Sequence, residues 1–187
     1  MTQLMTEQGI VKVPAGTWKV DQTHSSVAFE VKHMMISTVR GLLSEYDGTL
    51  EAQEDPERST VTGWAAAASI DTGNADRDAH LRGPDFFDAD RHPRMSFVST
   101  GIRHLEGGTY AVTGDLTIKG VTREVTVEAT VQGTGEDPWG NQRAGIAVRG
   151  SVDRTDFGLT RQSRLADGGL QVGEDVGLLL DLSAVAS

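Results

Sequence analysis

The sequence predicts an all-β fold, an antiparallel sheet curled on itself and interrupted by a short helical insertion. Three observations carry that expectation. Apolar and polar residues alternate with period two through most of the chain, and Gly, Asp, Asn or Pro breaks the alternation about every ten residues. Small residues, among them Gly41, Gly63, Ala65, Gly114 and Gly150, fall inside the alternating segments. Glycine weakens a strand unless the sheet bends there or something approaches its backbone closely. A sheet curved around a cavity supplies both reasons; the competing reading is plain barrel corners around a core filled by side chains.

Element by element, HSSVAFEVKHM places Val27, Phe29 and Val31 on one face and Ser26, Ala28, Glu30 and Lys32 on the other. TVRGLLSEYDGTLEA continues as a second strand with Val39, Gly41 and Leu43 in phase, and STVTGWAAAASIDT makes a third. RMSFVSTGIRHL is a fourth, with Met95 and Phe97 pointing one way. GGTYAVTGDLTIKG alternates through Tyr110, Val112, Leu116 and Ile118, and TREVTVEATVQG through Val125, Val127, Ala129 and Val131. AGIAVRGSVDRTDFGL and VGEDVGLLLDLSAVA bring the total to about eight, a number whose closed antiparallel barrel has room for one small ligand. Helical signals interrupt this meander near 73–90 and at 160–167, and GTGEDPWGNQRAG at 133–145 reads as a long hairpin loop. Alternation does not separate a closed barrel from two packed sheets, since either protects the strand edges. A flexible extension is expected at 1–13 and a single domain at 14–187.

At 187 residues and 20.0 kDa the chain can bury one core without staples. It has no cysteine, which removes thiol nucleophiles, Cys-ligated zinc and iron–sulfur clusters. The net charge of −10 repels phosphate backbones and the anionic face of a membrane, so nucleic acid is not an expected partner. The opening MTQLMTEQGIVKVPAG shows no basic n-region or apolar h-region, and no run of about eighteen apolar residues occurs anywhere. A cytoplasmic location without stable membrane insertion is expected, and a homodimer would be compatible with exposed strand edges.

Ionisable groups concentrate in RDAHLRGPDFFDADRHP at 77–93. Arg77, His80 and Leu81 share a helical face while Asp78 points aside, and Asp71 or Asn74 is placed to cap the helix. Gly83 and Pro84 then end the helix and let Phe86 and Phe87 turn back over the sheet. Two readings stay open: a lid whose rings line a cavity while Arg77 and His80 meet a polar head group, or a helix that plugs one barrel end with Arg and Asp paired. His80, Asp85, Asp88 and His92 invite a zinc reading, but no HExxH or paired-His spacing supports it, and no metal is expected. Asp21, His24 and Ser25 in DQTHSS stand in the order of a catalytic set, yet no GxSxG or equivalent accompanies them. They read better as a hydrogen-bonded corner at the start of the first strand. His33 is in phase with the inward face, and His104 reads as solvated. GTGEDPWG is not a dinucleotide fingerprint and there is no P-loop, so no cofactor is expected.

WKVDQTHSSVAFEVKH, VRGLLSEYDGTL, SIDTGNADRDAHLRGPDFFD, HPRMSFVST, VTGDLTIKGVTREVTVEATV and VDRTDFGL resemble, in order and spacing, the YceI-like family from about Trp18 to Leu182. The resemblance implies an eight-stranded antiparallel lipocalin-like barrel with a helical insertion. Its long apolar tunnel would hold a polyisoprenoid, an isoprenoid quinone, a fatty amide or acid, or another long amphiphile. Family members are often secreted behind a signal peptide, unlike the opening here, and GWAAAAS is smaller than the apolar strand the family leads one to expect. Strand parity and the resemblance nominate Val27, Phe29, Val31, Val39, Leu43, Phe86, Phe87, Phe97, Leu116, Val127 and Phe157 as tunnel lining, with polar contacts from His33, Arg77 and His80. A neutral head group is expected to enter more easily than a diphosphate unless Arg77 and Arg94 are shielded inside. The expected function is binding or carriage without catalysis. The alternative is a hydrolase or isomerase using His24 and Ser25, or His80 and Asp78, on an amphiphile.

Overall fold

The computed structural model describes residues 6–7, 10–162, 166 and 169–187. Eight antiparallel strands run in up-and-down order and close into a barrel where the last pairs with both the seventh and the first. They are β1 (Gly16–Val20, continuing as Ser26–His33), β2 (Ser37–Leu43, continuing as Tyr46–Ala52) and β3 (Thr60–Ala66, continuing as Ile70–Asp71). β4 (Arg94–Glu106), β5 (Thr109–Ile118), β6 (Val121–Glu136), β7 (Gln142–Asp153) and β8 (Val172–Ala186) complete the ring. Closure leaves no long open edge, which answers the choice that alternation left open in favour of a barrel.

The first three strands bend at the same level. In β1 the inward apolar phase runs Trp18, Val20 and then slips to Val27, Phe29, Val31; in β2 it slips from Val39, Leu43 to Tyr46, Leu50; in β3 from Val61, Ala65 to Ile70. The slips are the corners at 21–25, 44–45 and 67–69. They are stitched together by Ser44 N–H to Ser69 O (3.2 Å), Ala66 N–H to Glu45 O (2.8 Å) and Tyr46 O–H to Ser25 O (2.7 Å). On the opposite side the sheet bends through irregularities near Thr100 in β4 and Gln132 in β6.

One end of the barrel is packed shut. Val13, Trp18, Ala52, Ala144 and Ala184 form its buried cluster, with Leu50, Val131 and Ile146 against it. Residues 10–13, counted above with the extension, take part: Val11 N–H bonds to Gly107 O (3.1 Å), Tyr110 O–H to Val11 O (2.8 Å), and Val13 is buried. A further short ladder pairs Thr6–Glu7 with Ile10–Val11.

The helical insertion is shorter than the sequence signal at 73–90. Only α1 (Ala75–Arg82) is α-helical: Asn74 Oδ1 accepts from Arg77 N–H at its start, and Gly83 followed by Pro84 ends it. Residues 83–92 instead form successive turns, Phe86 N–H and Asp88 N–H both bonding to Gly83 O, with Asp88 at φ 48°. The expected loop at 133–145 is mostly strand. Its turn spans only 137–141, because the Asp137 carboxylate gathers Trp139 N–H, Asn141 N–H and the Asn141 side-chain amide and so closes a tight hairpin. Of the helix expected at 160–167, residues 163–165 and 167 lie outside the described residues and 160–162 are not helical; the one helical turn nearby is Arg154–Phe157, a 3-10 turn.

Candidate ligand-binding lumen

The ladder fixes which side chains face inward. Phe29 stands opposite Gly41 and Leu178, Val27 opposite Leu43 and Leu180, and Val31 opposite Val39 and Val176. Round the other half, Gly63 faces Phe97, Phe97 faces Leu116, and Val112 faces Val127. Val27, Phe29, Val31, His33, Val39, Leu43, Phe97, Leu116 and Val127 therefore share one face of the barrel sheet.

These inward apolar residues are only partly buried. Val27, Phe29, Val31, Val39, Leu43, Leu116, Val127, Leu178 and Leu180 all keep solvent contact, whereas Trp18 and Ala144 at the closed end are 3 % and 1 % exposed. A barrel filled by its own side chains would bury the first group as thoroughly as the second. Glycines keep the middle clear by letting rings lie flat on the wall: a Cβ at Gly41 would stand 2.3 Å from the Phe29 ring, and one at Gly114 2.5 Å from that of Phe97. Gly150 similarly receives Val127.

At the open end the insertion crosses towards the β5–β6 hairpin. Lys119 Nζ donates to Pro84 O (3.0 Å), and the His92 ring rests on Gly120. The insertion's polar groups are largely engaged with protein. Asp78, not Arg77, is the buried face of α1: its carboxylate accepts from the Thr72 N–H (3.0 Å) and hydroxyl (2.6 Å). Arg77 is exposed and donates to Thr72 Oγ1 and O, and Arg82 to Ala68 O and Ile70 O. With only Leu81 as a large apolar residue, α1 had no hydrophobic stripe to set its rotation in the sequence. His80 is exposed, 3.5 Å from Asp85 and edge-on to the Phe86 ring. Phe86 and Phe87 are both half-buried. Arg94 lies over the Trp64 ring at 3.9 Å, on the side of the sheet away from Phe97.

Asp85 also receives Arg161 (2.7 Å), which joins the insertion to the segment before β8. The described residues on either side are held by Arg154, a buried guanidinium that donates to the carbonyls of Leu159, Arg161, Val172 and Gly173. Burial pushes its pKa below the usual arginine range while Glu174 and Asp153 oppose the shift. Phe157 is 1 % exposed and belongs to this packed support, not to an open wall. His80, Asp85, Asp88 and His92 do not converge: Asp88 pairs with Arg91 (3.4 Å), His92 sits on Gly120, and no trio of His, Asp or Glu among the described residues is disposed to hold a metal.

Asp21, His24 and Ser25 form the hydrogen-bonded corner that the sequence suggests. His24 Nδ1 lies 2.7 Å from Asp21 Oδ2, and Arg143 donates to the same oxygen at 2.7 Å. The Arg143 guanidinium, with His24, holds the Asp21 carboxyl well below the usual range; Asn141 and then Arg143 do the same for Asp137. Ser25 Oγ is taken up by the Ser183 backbone, donating to its carbonyl (3.3 Å) and accepting from its N–H (2.9 Å). A hydroxyl engaged in both directions is poorly placed as a nucleophile. His104, expected in solvent, is half-buried against Tyr110 and bonded to Gly107 O.

Alternation alone does not nominate one further candidate position at the open end. Arg123 has inward parity, opposite Leu116 beside the open end, and donates only to Thr122 O among the described residues. With His33, it supplies the ionisable groups of inward parity at that rim. The signal lies in Val121, Arg123, Val125, where a charge interrupts an apolar alternation. Two outer recesses complete the surface. One of about 520 Å³ runs over the cross-strand row Arg103, Ala111, Glu128 and Arg149 and reaches Val127 and Gly150, and one of about 440 Å³ lies between α1 and the β2–β3 corner.

A closed eight-stranded antiparallel barrel, packed shut at one end and with partly exposed apolar residues on its inner face, defines a class of small β-barrel domains. The chain belongs to the YceI-like domain family, whose profile matches residues 18–184. It is 37% identical over 149 residues to a UPF0312 protein of Pectobacterium atrosepticum, covering 78% of this chain and 77% of the relative. Over 148 residues it is 37% identical to Protein YceI of Shigella flexneri, with 78% and 77% covered. Among solved structures it is similar to Burkholderia cenocepacia BcnA, with TM-score 0.77, 25% identity, and 88% and 98% of the two chains covered. The fold also matches a polyisoprenoid binding domain from Saccharophagus degradans, implicated in plant cell wall breakdown, with TM-score 0.69 at 14% identity and 91% and 98% covered.

Proposed function

We propose that this protein binds one long hydrophobic amphiphile, a polyisoprenoid, isoprenoid quinone or fatty chain, in the barrel lumen and sequesters or carries it without covalent chemistry. The observation that carries the reading is the inner face itself: apolar side chains on β1, β2 and β4 to β8 that remain in contact with solvent, while Ala65 and Ile70 of β3 are buried. Membership of the YceI-like family supports lipid binding, and a domain of the same fold is described as polyisoprenoid-binding.

Val27, Phe29, Val31, Val39, Leu43, Phe97, Leu116 and Val127 form the wall in this reading, and Phe87 meets the chain where it enters. Arg77 is committed to Thr72, so His33 and Arg123 are the groups available to a head group at the rim. Burial yields about 0.8 kcal/mol per methylene, so three prenyl units contribute roughly 10 kcal/mol gross. Association costs about 4–15 kcal/mol, so useful affinity demands a chain of that length or more.

Organic extraction of the protein purified from cells, followed by mass spectrometry, tests the reading. A stoichiometric long-chain lipid is expected, and the same lipid added back is recovered unchanged. Protein that carries no lipid and takes up none of a prenol series would overturn it, as would chemical turnover of the added lipid.

A further inference from the structure

The hairpin that joins β1 to β2 at the open end carries Met34, Met35 and Ile36, which are 39 %, 58 % and 82 % exposed. Both methionines are in the left-handed region, φ 52° and 60°, the conformation of a type I′ turn that selects Asn-Gly. The turn is nevertheless well tied: Ile36 N–H bonds to His33 O (3.2 Å) and Met34 N–H to Gln171 O (2.8 Å). Two large apolar side chains are thus held in solvent on a backbone that disfavours them. In a chain of net charge −10, the stretch VKHMMISTVRGLLS at 31–44 has no carboxylate. Lys32 stands on its outer face, its ammonium 2.9 Å from Thr38 Oγ1, while Val31 and Val39 of the same hairpin belong to the inner wall.

We propose that this tip docks the barrel on a lipid bilayer: Met34, Met35 and Ile36 enter the boundary between head groups and acyl chains, with Lys32 against lipid phosphate. The open end then meets the surface from which a hydrophobic ligand must come, a step that rests on the lipid-binding reading above. Three side chains on a two-residue turn and the residue after it fall far short of the roughly 800 Å² per partner that a stable protein interface uses. They have the form of an interfacial anchor, which needs a small apolar tip and no opposing negative charge. Residues 31–44 carry no carboxylate, and the exposed Glu174 and Asp175 of neighbouring β8 lie behind the tip, past Val172, which pairs with His33.

The test uses vesicles of phosphatidylethanolamine with a minority of phosphatidylglycerol. Two tip variants are compared with the unaltered protein: Ile36→Asp, and the double change Met34→Asn with Met35→Gly, which suits the type I′ turn and so keeps or raises the melting temperature. Trp139→Ala alters an exposed aromatic on the β6–β7 hairpin and serves as the control. Co-sedimentation with vesicles, and transfer of geranylgeraniol from them, should fall about tenfold in both tip variants and stay unchanged in the control. Loading with geranylgeraniol dispersed without vesicles should be unaffected by any variant. The proposal is overturned if the unaltered protein does not co-sediment, if the tip variants behave as it does, or if Ile36→Asp dissociates an oligomer in vesicle-free solution, which would make the tip a protein contact. Protein that co-sediments through the tip but accepts no prenol by either route supports docking and rejects the lipid-binding reading.

Discussion

Glycines decide at the residue scale whether the barrel is hollow. A Cβ at Gly114 would meet the Val98 carbonyl oxygen at 2.5 Å as well as the Phe97 ring, and backbone cannot step aside as a side chain can. Gly114→Ala is expected to cost about 1–3 kcal/mol in urea unfolding. Gly41→Ala is different, because its closest neighbours belong to the Phe29 ring, which can swing into the lumen. That variant should remain folded yet bind long prenols at least several-fold more weakly, read by titration with intrinsic fluorescence; unchanged affinity would mean that the ligand passes elsewhere. The sequence announced these positions only as glycines out of place in strands. Which large residue each one receives depends on cross-strand register, which no single strand encodes.

Bends and segment anchors set the shape at the element scale. Alternation made the inner face of most strands legible, but the second and third strands read as straight runs because the eye follows polarity, not phase. Val39 and Leu43 are odd-numbered, Tyr46 and Leu50 even, and that slip is the corner. Carrying the odd phase onward would have aimed Glu45, Asp47 and Glu51 inward. The β1 corner is closed by Asp21, whose folded-state pKa lies below its unfolded value of about 3.9. Stability from that carboxylate is therefore complete above about pH 4 and is lost as pH falls through the folded-state value. Asp21→Asn should lower the urea midpoint at pH 7, and the gap from the unaltered protein should narrow steadily below pH 4; a constant gap would remove the Arg143 and His24 pairings from the account. Arg154 plays the corresponding part for the segment leading into β8. Its replacement by Met leaves four carbonyls without their donor, so cleavage at 158–162 by limited proteolysis should become much faster than in the unaltered chain.

In the proposed reading the depth of the whole barrel limits the ligand it can hold. Strands rise about 3.3 Å per residue and tilt by about 40° in such barrels. The part of β8 above the sealed end, residues 172–182, thus spans a depth of roughly 25 Å. Each added prenyl unit contributes up to about 4 kcal/mol gross while it lies inside, and nothing once it projects into water. Ligand at 100 times its Kd raises stability by about 2.7 kcal/mol, worth roughly 5–10 °C in melting temperature for a chain of this length. Prenols of increasing length at equal concentration should therefore raise the melting temperature stepwise and then level off when the chain outgrows the lumen. Because the described inner wall between the strands is apolar, with His33 and Arg123 at its rim, the plateau should move little with salt, in contrast to any head-group preference set at the rim. A response that is flat with chain length, or that vanishes in high salt, would place the binding energy on the charged outer surface and leave the apolar wall without a role.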